Sequence, residues 1–176
     1  MAIDWTSFIP TLLATFLGVG LAVLFNEIYH RRFERKQARR LLFLLKDEIT
    51  NNTNLLLELE QELKNPNYTP FYDLKFVVWN TISPIITPVL NEFNIMKDIS
   101  KFYYELQHIE RKINKIFDLS FNPKIANKKL APEVMQVRQQ LWISLNVHIP
   151  GVLIGRNCKS PQVIINEIEH LIKRLG

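Results

Sequence analysis

FIPTLLATFLGVGLAVLF, residues 8–25, decides how the whole chain is read. It carries no charge, and as a helix rising about 1.5 Å per residue it nearly crosses a ~30 Å hydrocarbon layer. Asp4 and Glu27 lie just outside it, and Trp5 and Tyr29 stand where interfacial aromatics belong. No Gly or Pro occurs between Ala22 and Leu63. The expected structure is therefore one helix over residues 8–63 that starts in a membrane and continues into a cytoplasmic domain. The predicted division is an anchor at 1–29, a basic juxtamembrane segment at 30–40 and a helical bundle at 41–176.

The distribution of charge supports that order. The 176 residues have a net charge of +5 and a pI near 9.4. Residues 31–40 hold six cations, Arg31, Arg32, Arg35, Lys36, Arg39 and Arg40, against Glu34. The remainder then balances at sixteen basic and sixteen acidic residues. Basicity belongs to the junction, so a duplex nucleic acid is not an expected partner. No Lys or Arg precedes residue 31. The positive-inside rule then places the bundle in the cytoplasm and the N-terminus outside, in the inner (cytoplasmic) membrane. A cleaved signal peptide fits less well, because a positive n-region and an A-x-A-like site are both missing. Cys158 is the single cysteine, so the chain has no internal disulfide, in keeping with a reducing compartment.

Within the span, Ala14, Gly18 and Ala22 recur every four residues, a small-residue stripe that lets helix backbones approach. Self-association through it competes with the plain abundance of Gly and Ala in membrane helices. The cations form two i,i+4 ribbons, in which Arg31, Arg32, Arg35 and Lys36 suit anionic headgroups at around 1 kcal/mol each.

Beyond the junction, apolar residues fall at steps of four and three: Ala38, Leu42, Leu45, Ile49, Asn52, Leu56, Leu59 and Leu63. Leu41, Leu44, Leu55 and Leu57 widen this face, favouring a bundle over a free two-stranded coiled coil. Asn52 sits in the seam, either as a register or bonding residue or as a tolerated polar defect. NPNYTP at 65–70 breaks the helix. Asp73 is a candidate cap for a short helix carrying Phe76, Val77, Trp79 and Ile82. Pro84 and Pro88 then predict short turns over 83–93. A second heptad runs Ile95, Ile99, Phe102, Leu106, Ile109, Ile113, Ile116 and should end before Asn122-Pro123. Val134, Val137, Leu141 and Leu145 mark a helix opened by Pro132, and Ile164, Ile168, Leu171 and Leu175 one capped by Ser160-Pro161. The fold class is all-α, an antiparallel bundle of four main helices plus short ones.

The segments LLFLLKDEITNNTNLLLELEQEL, Trp79 and ISKFYYELQHIERKIN resemble a pattern of small bacterial membrane-anchored helical proteins. There, an E-I-x-x-N-x-x-L-L helix continues from the span, and a Trp-bearing segment precedes an F-Y-x-x-L-x-x-I helix. Glu48, Ile49, Asn52, Leu55 and Leu56 match the first element; Phe102, Tyr103, Leu106 and Ile109 match the second. The resemblance covers about residues 8–116. It implies an anchored bundle, and by analogy a membrane-active effector of antiviral defence gated by a cyclic oligonucleotide.

Catalytic signatures are missing: there is no Walker loop, G-x-G-x-x-G, H-E-x-x-H, C-x-x-C or G-x-S-x-G. Three E-x-x-H pairs, Glu27-His30, Glu105-His108 and Glu167-His170, invite a di-iron reading. Their heptad positions flank the seam, so no metal or other cofactor is expected. The chain reads as a non-enzymatic, membrane-anchored interaction module that self-associates or binds a protein partner. The alternative is an oligomeric membrane-disrupting effector gated by an anionic cyclic oligonucleotide. Its cations would be Lys124, Lys128 and Lys129 in one connection and Arg156 and Lys159 in another. Solvation of exposed loops is the plainer role for these residues.

Overall fold

A computed structural model describes residues 5–65, 69–90, 93–121, 131–148 and 159–175, with side chains at all of these except 5–9, 11, 87–90 and 146–148. Among the described residues there are five helices and no strand: α1 (Trp5–Glu62), α2 (Val77–Leu90), α3 (Phe93–Ser120), α4 (Pro132–His148) and α5 (Pro161–Arg174). The protein is all-α. Every seam residue predicted in α1, from Ala38 to Leu63 and including Asn52, is buried. So are all seven heptad residues of α3 and the four of α4. Leu41 and Leu55 pack against this core, whereas Leu44 and Leu57 remain exposed, so the face is narrower than expected.

Side-chain contacts give the helix directions. Glu48 of α1 meets Val78 and Trp79 at the start of α2, and Asn52 and Glu62 meet Lys75 and Tyr72 upstream. Residues 69–76 and α2 therefore run antiparallel to α1. Glu48 also meets Tyr103, while the Phe117 ring lies tilted against Phe71 at 5.6 Å, so α3 runs parallel to α1. Arg138 reaches Leu63 and Asn65, and Ser144 meets Lys112, which sends α4 back down. Lys159 bonds Asp98 at 3.0 Å and Lys46 bonds Glu169 at 3.4 Å, placing α5 against the first half of α3 and the start of the packed stretch of α1.

The result is a four-cornered up-down bundle with two composite corners. One corner is the extended segment 69–76 followed by α2. Another is α4 followed by α5, laid successively along α3. Backbones of α1 and α3 face each other diagonally, and their long side chains meet in the centre.

Two expectations about α2 are corrected. Asp73 is exposed and sits in the extended segment, so it caps nothing. The helix instead continues through Pro84 and Pro88 to Leu90. Pro84 and Asn80 are both exposed, so the carbonyl that Pro84 leaves unpaired faces water, while Ile82 and Ile86 hold the opposite side in the core. In α5, Ser160 accepts a hydrogen bond from the Val163 N–H and Pro161 opens the first turn, as its sequence predicts.

Candidate functional site

Among the described residues, none buries a side chain of α1 before Ala38. Every described side chain from Leu12 to Gln37 is exposed, and Phe16, Leu17, Val23 and Phe25 are each more than 60% exposed. It is the one helix, among the described residues, long and apolar enough to cross a membrane by length and composition. From Ala38 the same unbroken helix supplies the bundle core. The change from bare to packed occurs where the basic ribbons lie.

Because α1 is continuous, its two halves are locked in rotation. At about 100° per residue, Ala14, Gly18 and Ala22 lie on the side of α1 opposite Leu42, Ile49 and Leu56. The bundle thus leaves the stripe uncovered, and a Cβ built at Gly18 meets nothing within 4 Å. Arg31, Arg32, Arg35 and Lys36 are all exposed, with Arg31 paired to Glu27 at 2.8 Å along the helix.

A buried polar cluster fixes the domain that this helix carries. The Glu48 carboxylate accepts hydrogen bonds from the N–H groups of Val78 (2.8 Å) and Trp79 (3.1 Å), two first-turn donors of α2 that have no partner within the helix. The first turn of α2 has no acid of its own, so α1 supplies the charge that favours a helix N-terminus. Tyr103 Oη donates to the same carboxylate at 2.6 Å. Its ring stacks on Trp79 at 5.1 Å with 7° between planes. One turn further along α1, Asn52 donates to the Lys75 carbonyl at 2.7 Å and accepts from the Lys75 N–H at 2.8 Å. Asn52 is therefore a backbone clamp, gripping an extended segment in place of a helix. Burial, then the hydrogen bond that the phenol donates to Glu48 and the charge of that carboxylate, push the Tyr103 phenol far above its ordinary pKa. At the other end of α1, Arg138 donates to the carbonyls of Leu63 (3.0 Å) and Asn65 (2.7 Å), and burial lowers its pKa.

Glu48, Asn52, Trp79 and Tyr103, which carry the resemblance pattern, thus meet at one junction. Seam spacing alone gave no sign of Glu48 or Arg138 as buried groups, since each answers backbone atoms distant in sequence.

Of the five cations named for the connections, Lys124, Lys128, Lys129 and Arg156 lie outside the described residues, as does Cys158. Lys159 is held between Asp98 and Glu167. The Glu167 bond first, then that to Asp98, raise its pKa. Glu105 and His108 are half-buried, the latter edge-on to Tyr104 at 4.5 Å, and His170 is exposed. No group of three His, Cys, Asp or Glu among the described residues is arranged to hold a metal. At the end of the bundle remote from the bare stretch, Leu63, Pro132, Met135 and Trp142 line an open groove.

Comparison with protein-family models, curated proteins and solved structures finds no match to this chain.

Proposed function

We propose that the protein is a non-enzymatic, single-pass membrane-anchored interaction module. The supporting observation is the single helix that is bare over Leu12–Gln37 and core-forming from Ala38 onward. An uncovered apolar surface of that length in water would be a strong association hazard; lipid removes it. The basic ribbons then meet anionic headgroups, and the bundle is held in the cytoplasm. The uncovered Ala14-Gly18-Ala22 stripe brings copies of α1 together in the bilayer. The groove beside Trp142 and Met135, 45% and 41% exposed, is the surface offered to a protein partner.

Crosslinking and mass measurement of the full chain in lipid test the self-association. Wild type is expected to give a defined oligomer, and Gly18→Leu a shift towards monomer with insertion unchanged. The space around Gly18 is open, so the larger side chain spares the fold. Monomers throughout in wild type would remove this part of the reading.

A further inference from the structure

Three helix ends and the basic stretch of α1 converge on one level. With Val78 opposite Glu48, α2 ends about twelve residues further down, near Lys36. With Tyr103 opposite Glu48, α3 begins near Ala38. The end of α5 lies there too, since His170, Leu171 and Arg174 border a cleft with Asn94 and Ile95. The bundle therefore has a base, and the bare part of α1 leaves through its edge.

This base is rich in cations from separate elements. α1 contributes Arg39 on its flank and Lys36 and Arg40 on its outer edge, α3 contributes Lys97, and α5 ends in Lys173 and Arg174. Phe93, 75% exposed, projects at the corner between α2 and α3. The nearby acids are few. Among the described residues, Asp98 and Glu167 share Lys159 and Glu169 is bonded by Lys46, leaving Glu34 on α1. Two of the cations also complement the α5 C-terminus, but Lys97 near the start of α3 serves no such purpose.

We propose that the base is a second membrane contact, docking the bundle onto anionic lipid beside its own span. The inference rests on the anchored reading above. If α1 stands upright, Lys36 is about 16 Å beyond Phe25, and headgroups fill roughly 5–8 Å of that. The remaining gap is about one Debye length, which an ordinary tilt of ~20° narrows on one side. Attraction between base and lipid fixes the tilt of the bundle, and so limits how two bundles on associated spans face each other. Docking then weakens with salt and with loss of anionic lipid.

The test uses the full chain in nanodiscs of phosphatidylcholine, with and without phosphatidylglycerol. A fluorophore is placed at Phe93→Cys in a Cys158→Ser background, and quenched by lipid spin-labelled at the headgroup. The same label at Asn94→Cys is a second base reporter, and Asn54→Cys, about 24 Å further from the base, is the reference. Quenching at 93 and 94 that requires anionic lipid, falls with salt and is missing at 54 is the expected result. Lys97→Gln and Lys173→Gln should each lower the docking equilibrium by roughly fivefold. Equal, weak quenching at all three sites in both lipids would overturn the inference while leaving the anchor intact. A chain that fails to co-purify with the nanodiscs would overturn the anchor, and this contact with it, through a separate readout.

Discussion

Glu48 is one carboxylate answering three donors: two N–H groups of a helix it does not belong to and a phenol on a third. Truncation leaves the phenol without its acceptor in the core and the two N–H groups unpaired where they are half-buried. Glu48→Ala should cost about 3–5 kcal/mol in denaturant unfolding of the detergent-solubilised chain, and Glu48→Gln, which keeps an acceptor, clearly less. Tyr103 supplies a pH signature for the same junction. Its folded pKa lies above the ordinary phenol value near 10, so its contribution is complete below about pH 10 and lost as the pH climbs beyond. Lys159 titrates in that window too, so the comparison is between wild type and Tyr103→Phe. The variant should lose stability above pH 10 with a slope shallower by up to about 1.4 kcal/mol per pH unit. Parallel alkaline limbs would show that the phenol is not held in its protonated form. Neither residue stands out from seam spacing. Periodicity reveals which side of a helix is buried, not which backbone groups elsewhere need a partner.

At the scale of elements, the sequence was most readable where burial is periodic. The seams of α1, α3 and α4 appear in the structure residue for residue, and that of α5 through Leu171, with Leu175 half-buried at the helix end, because an amphipathic helix has one way to hide its apolar side. It was least readable at α2. Two prolines suggested broken turns and Asp73 suggested a cap, yet α1 caps the helix from outside and water takes the carbonyl that Pro84 frees. The C-terminus of α1 depends likewise on a distant group. Arg138→Met should leave the Leu63 and Asn65 carbonyls without their donor. Hydrogen exchange should quicken in the last turn of α1 and at the start of α4, with little change near Glu48. A uniform change across the chain would instead mean that Arg138 acts on global stability alone. The wide apolar face expected for α1 is narrower in fact, since Leu44 and Leu57 are exposed, and a single sequence does not show which leucines find a neighbour.

At the scale of the molecule, one helix ties together an exposed apolar half, a basic collar and a bundle packed on a single side. Rotation locks the Ala14-Gly18-Ala22 stripe away from the bundle, so spans can associate without the domains colliding at α1. That arrangement turns on α1 crossing a bilayer with the bundle inside. Thiol labelling in sealed spheroplasts of a bacterial host measures this most directly, using the full chain with Cys158→Ser and single cysteines at Ala2→Cys or Asn54→Cys. Asn54 is exposed on the bundle, so its thiol is open to reagent wherever the domain resides. With a membrane-impermeant maleimide, the account predicts that residue 2 is labelled in intact spheroplasts and residue 54 only after lysis. Labelling of residue 54 in intact spheroplasts, or recovery of the chain in the soluble fraction, would contradict it.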